Sequence, residues 1–159
     1  MASTITASTL KVTIREDIEL NGVQQGGVNA LSIGSINEIS KRIVTVTTAE
    51  STIATFSSAV ASAGHYVAAD VRYIRFTNLD DTNFITLTFR NQDNDEAAIK
   101  LDAGQSFIWN GDNDDGMTAV LNATQDADAA SDTAFGSLTN IQADANTGSC
   151  DLEMFIASV

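Results

Sequence analysis

Apolar and polar residues alternate in short runs along most of the chain. Leu10, Val12 and Ile14 alternate with Lys11, Thr13 and Arg15, the pattern of a strand with one face covered, and Ile18 and Leu20 continue it to Asn21-Gly22. Both residues of that dipeptide tolerate positive φ, so it predicts a tight hairpin turn. Ile33, Ile36 and Ile39 recur at every third position and predict one short helical turn. Residues 43–48 and 52–56 are β-branched and predict strands, whereas the small, polar stretch 57–69 predicts an irregular connection. Residues 71–77 and 84–90 flank the turn cluster Asn78-Leu79-Asp80-Asp81-Thr82-Asn83 and predict a β-hairpin.

Further strands are predicted over 97–101, 106–109 and 118–122, each bounded by Gly, Asn or Asp clusters. Residues 123–137 carry little apolar pattern and predict a long loop with a brief helix near 128–134. Cys150, Leu152, Met154 and Ile156 alternate with Asp151, Glu153, Phe155 and Ala157, which predicts a strand inside the fold. About eight short strands without a βαβ rhythm define an all-β protein. Well-patterned strands early and late in the chain must pair, which favours an antiparallel, jelly-roll-like β-sandwich with room for one short helix. An immunoglobulin-type sandwich is the runner-up, but the Cys and Trp spacing of antibody domains is missing. The expected organisation is an N-terminal arm over residues 1–9 and a single sandwich domain over 10–159.

Composition narrows the function. The chain has 159 residues and a formal net charge of −13, and residues 101–159 hold ten acids and no base. Such a balance argues against a nucleic-acid partner bound through its phosphates. No run approaches the ~18 apolar residues of a membrane span, so no membrane partner is expected. The opening MASTITASTLKVTIRED lacks a charged region followed by an apolar run, so no secretion address is expected either. Cys150 is the single cysteine, which leaves no internal disulfide.

Candidate chemistry is sparse. From Asp112, a calcium loop would need Gly at its sixth position and Glu at its twelfth, but Met117 and Ala123 stand there. Asn91, Asp93, Asp95 and Glu96 fail the same test, because Glu96 takes the place of the glycine. His65 is the only histidine and lies in a Gly/Ala stretch without an orienting partner in sequence, so it is a poor general base. Cys150 shares the inward parity of Leu152 and Met154 and reads as a small buried hydrophobe. Gln25-Gly26-Gly27 lacks the ending of a phosphate loop. Tyr73, Phe76, Phe84, Phe89, Phe107 and Trp109 could form a platform for sugar, but their parity divides them between faces and favours a core role. No enzymatic activity, cofactor or metal is expected.

Residues 73–111, YIRFTNLDDTNFITLTFRNQDNDEAAIKLDAGQSFIWNG, resemble a pattern of small accessory virion proteins of tailed bacteriophages. The shared elements are an RFTN strand, an apolar-polar strand, and a KLDAGQSF turn into an aromatic strand. The opening KVTIREDIELNG is similar in style. The resemblance implies a β-sandwich subunit located in the virion, most simply a capsid decoration or cement protein that binds the outside of the shell. It brings no active-site residues. A tail, neck or fibre component and a carbohydrate-binding module are the alternatives, and a hydrolase using an unrecognised acid pair is a more distant one.

The implied partners are the major capsid protein or other virion proteins, together with further copies of the chain. Proline is absent and only 18% of residues are charged, so the sheet edges lack the usual blunting devices, and a homo-oligomer such as a trimer, or burial of the edges against a shell, is expected. Residues 1–9 are uncharged and suited to adding a strand to a neighbour. Lys11, Arg15, Lys41 and Arg42 are expected on the shell-facing side, with Asp112, Asp114, Asp115, Asp126 and Asp128 facing outward.

Overall fold

The computed structural model describes residues 5–111, 113–118 and 137–159. Its strands are β1 (Ser8–Arg15), β2 (Glu19–Leu20), β3 (Val23–Gln24), β4 (Val28–Ile36), β5 (Glu38–Val46), β6 (Ser51–Ser57), β7 (His65–Val67), β8 (Val71–Asn78), β9 (Ile85–Asn91), β10 (Glu96–Leu101), β11 (Ser106–Asn110), β12 (Leu138–Ala145) and β13 (Cys150–Ser158). A 3-10 turn covers Ala68–Asp70. The strand predicted over 118–122 and the helix near 128–134 fall almost wholly outside the described residues.

The strands from β5 onward form two sheets. One has the order β11-β8-β13-β5 and the other β10-β9-β12-β6-β7. Apart from the short β7, this is the jelly-roll winding: the chain alternates between sheets except at the β9–β10 hairpin, and the early β5 lies beside the late β13. The expected all-β antiparallel sandwich is therefore the fold. Alternation along each strand builds the core between the sheets. Val44 and Val46 of β5, Ile74 and Phe76 of β8, and Leu152, Met154 and Ile156 of β13 face Ile85, Leu87 and Phe89 of β9 and Ile141 of β12. Phe107 and Trp109 of β11 close one end against Phe89, with ring centroids 5.5 and 5.2 Å from it.

A third layer is separate. Among the described residues β1 and β4 pair only with each other, and β2 with β3. The β1–β4 ribbon packs on the outer face of the four-stranded sheet, where Leu10, Val12, Ile33 and Ile36 meet Tyr73, Ile108, Phe155 and Ala157. The sandwich proper thus starts at β5. β1 pairs from Ser8, opposite Ile36, and the ribbon runs to Ile36.

Three further expectations are corrected. The three-residue spacing of Ile33, Ile36 and Ile39 is not helical, since these residues lie in β4 and β5. Ser35 has φ of +62°, and the β1–β4 register slips by one residue between Ser8 and Leu10. That bulge adds one residue to the strand and turns a period of two into an apparent period of three. Second, β8 and β9 are not a hairpin, because they belong to opposite sheets. Their connection is shaped by Asx bonds: Asn78 Oδ1 accepts from the Asp80 N–H, and Asp80 Oδ1 accepts from the Thr82 and Asn83 N–H groups. Third, the connection 57–69 contains β7, which runs parallel to β6 with Tyr66 opposite Phe56.

Candidate interaction surface

The ribbon extends beyond its sheet. β1 crosses the four-stranded sheet from the β5 side, where Leu10 and Ile36 line a cleft of about 430 Å³ with Ile39. At the far end, Val12, Ile14 and Leu31 line a cleft of about 190 Å³ with Ile108 and Asn110 of the edge strand β11. Beyond Ile14 the chain continues into β2 and β3, and no apolar residue of 15–28 belongs to either buried cluster. Ile18, Leu20, Val23 and Val28 are 48–67% exposed.

This projecting arm is nevertheless ordered by local bonds. Asn21 and Gly22 have φ of +52° and +77°, which gives the hairpin turn that the sequence predicts. Leu20 and Val23 stand opposite each other. The Gln24 side chain fastens the base: its Oε1 accepts from the Ile18 and Gly26 N–H groups, and its Nε2 donates to Asp17 at 2.8 Å. Glu16 donates its N–H to the Gly27 carbonyl at 2.9 Å. The backbones approach so closely that a Cβ on Gly26 would lie 2.1 Å from the Glu16 carbonyl oxygen. An isolated two-stranded ribbon is marginal in water, so these bonds maintain a shape that exposes apolar residues.

The outer face beside the ribbon is left open along β5. Ile39 and Ile43 point outward and are 58% and 59% exposed, and among the described residues the second edge of β5 pairs with no strand. Between them Lys41 reaches Glu153 at 3.1 Å, and Arg75 reaches the same carboxylate at 2.5 Å. The Arg75 and Lys41 bonds hold the Glu153 carboxyl below its ordinary pKa. Nearby, burial pushes the Tyr73 hydroxyl up.

The four basic residues expected to share one side do not all do so. Lys41 points outward, whereas Arg42, its neighbour on β5, points between the sheets and donates to the Ile53 carbonyl of β6. Adjacent residues of a strand face opposite ways, so the two cannot form one patch. Lys11 is exposed and lines the cleft beside Ile39. Arg15 lies at the root of the arm and pairs with Asp17 at 3.0 Å. Asp114 and Asp115 are exposed, whereas Asp112, Asp126 and Asp128 lie outside the described residues.

The other candidate residues lie on the sandwich. His65 is half-buried on β7. Cys150 is 1% exposed, and burial, with Asp80 beside it, pushes its thiol up. The Asp80 carboxyl is held below its ordinary value by the N–H groups of Asn83 and Thr82. Among the described residues no group of three or more His, Cys, Asp or Glu side chains is placed to hold a metal ion. Tyr73, Phe76 and Phe89 are buried, Phe84 is half-buried, and Phe107 and Trp109 are partly buried against the core.

Sequence reading missed the arm and the open β5 face. Ile18, Leu20, Val23, Ile39 and Ile43 look like ordinary half-covered strand residues; only the lack of enough neighbouring strands to cover them marks them as unusual.

No family model and no curated protein matches this chain. Among solved structures it is similar to a chain of the disulfide-linked pili that form Bacillus endospore appendages, with 8% identity and a TM-score of 0.42 over 100% of this chain and 95% of that one. Likeness at that level transfers neither fold detail nor function.

Proposed function

We propose that this chain is a non-enzymatic structural subunit that joins or decorates a larger particle, its contacts made by the ribbon arm and the open face of β5. The observation that carries this reading is the arm over residues 15–28, which is fastened by its own hydrogen bonds yet leaves Ile18, Leu20, Val23 and Val28 in water. Apolar side chains that an ordered segment holds in water mark a contact surface.

The finer reading, a decoration subunit on the capsid of a tailed bacteriophage, draws its support from the resemblance of residues 73–111 to accessory virion proteins. On that reading Lys11, Arg15 and Lys41 lie on the shell-facing side, with the major capsid protein as partner. Mass spectrometry of purified virions with copy numbers tests it. High copy number on the head supports decoration, low copy number supports a tail, neck or fibre position, and absence from particles rejects both. Binding to the shell should weaken as salt rises, because opposite charges at the contact are screened.

A further inference from the structure

The arm and the uncovered face of β5 occur on the same chain but at opposite edges of one sheet. The ribbon is rooted beside β5, crosses the sheet, and leaves it past β11, as the cleft residues Ile39 at one end and Ile108 and Asn110 at the other record. An arm leaving at β11 cannot fold back over its own β5. A second molecule presents the missing surface directly.

The two surfaces match in chemistry. The arm carries Leu20 and Val23 as an opposed apolar pair, with Glu16, Asp17 and Glu19 against Arg15 alone. The β5 face carries Ile39 and Ile43 around Lys41, with Lys11 at its rim. Lys11 has no ion-pair partner among the described residues. Lys41 and Arg75 share Glu153, and Asp151 lies beside Thr45, so with Lys11 the face sets three cations against two carboxylates; in a chain of net charge −13 an acidic segment of another copy is tolerated better here than on an acidic face. Reach also fits: six residues from Arg15 to Leu20 extend ~20 Å at ~3.3 Å each, about two thirds of the nine-residue edge of β5.

We propose that the arm of one copy docks along the open edge of β5 of a second copy, with Leu20 and Val23 against Ile39 and Ile43 and Glu19 facing Lys41. Exposed edge peptide groups of β5 then pair with arm backbone, and the apolar residues supply the burial. Donor and acceptor lie at opposite edges, so the contact is head-to-tail and closes into a ring or extends as a row. The inference rests on the assembly reading only in taking the arm as a contact element.

The test is cross-linking in the full-length chain carrying Leu20→Cys and Ile43→Cys, the native Cys150 being buried. Mild oxidation should give a ladder of disulfide-linked multimers on a non-reducing gel. Either single variant should give at most dimers. Adding Lys41→Glu should lower multimer yield about tenfold at low salt, and adding Glu19→Lys to that variant should restore much of it. A sedimentation profile that stays monomeric, together with no ladder, would overturn the inference. A ladder indifferent to both charge reversals, or a cross-link formed only within one chain, would overturn it as well. Monomers that still attach to particles would overturn self-docking while leaving the proposed function standing.

Discussion

The side-chain amide of Asn78 donates to the Leu101 carbonyl at 3.1 Å, which ties the end of β8 in one sheet to the end of β10 in the other. The same Nδ2 reaches the Asn83 carbonyl at 2.8 Å, and Oδ1 accepts from Asp80. Asn78 is fully buried, so removing it strands two carbonyls and an N–H. Asn78→Ala should destabilise the fold by about 2–3 kcal/mol, read as a lower urea midpoint with an unchanged slope. A loss under ~0.5 kcal/mol would show that water replaces the amide without penalty.

Glu153 gives a pH signature. Its folded carboxyl titrates below the unfolded value because Arg75 and Lys41 bond to it. Its contribution is therefore present above the unfolded value of about 4.5 and is lost as pH falls through the lower folded value. At pH 7, Glu153→Gln should cost about 1 kcal/mol. The gap between variant and native protein should shrink steadily as the solution is acidified, measured by denaturant titration across the acid range. A gap that stays constant down to acid pH would exclude the ionic contribution.

Lys41 and Arg42 should behave differently although they adjoin. Arg42→Ala leaves the Ile53 carbonyl without its donor and a gap between the sheets, and should cost about 2 kcal/mol. Lys41→Ala, on an exposed side chain, should cost under ~1 kcal/mol. Thermal melts of the two variants make the comparison, and equal losses would contradict the opposite orientations.

Cys150 should be chemically silent in the native state. Burial excludes reagent and disfavours the thiolate, so a thiol-specific dye should react slowly in buffer and rapidly in denaturant. Rapid native labelling would place the thiol at the surface.

Gly26→Ala separates the arm from the sandwich. The added Cβ collides with the Glu16 backbone, so the base of the arm must open while the buried core is untouched. The melting temperature should move by only a few degrees, whereas amide exchange over residues 16–27 should accelerate strongly. Slow exchange preserved in the variant would mean that the arm has another support.

Much of this architecture is legible in the residues because alternation reports which side of a strand is covered. Leu10 and Val12, and Cys150 through Ile156, fall where their parity places them, and Asn21-Gly22 turns where both φ values must be positive. Parity fails at Ser35, since a single bulged residue mimics a helical period. It is also silent about which strand lies next to which. The Asn78–Asn83 cluster looks the same whether the chain returns beside itself or passes to the opposite sheet, and only the buried Asn78 amide shows that it crosses. That neighbours on a strand diverge is readable in sequence, and it separates Lys41 from Arg42. The arm stayed hidden because its residues look covered until the count of surrounding strands is known.

The position of β13 between β5 and β8 has a kinetic consequence. Thr45 and Asp151, hydrogen-bonded across that pairing, are 106 residues apart in the chain. On the ribosome, β5 and β8 emerge long before the strand that joins them, so their facing edges stay unpaired until β13 arrives. Pairing across such a separation makes folding slow and leaves a window for wrong partners. Yield in the cell should therefore depend on how the nascent chain is shielded and how fast it is made, more than on the stability of the finished protein.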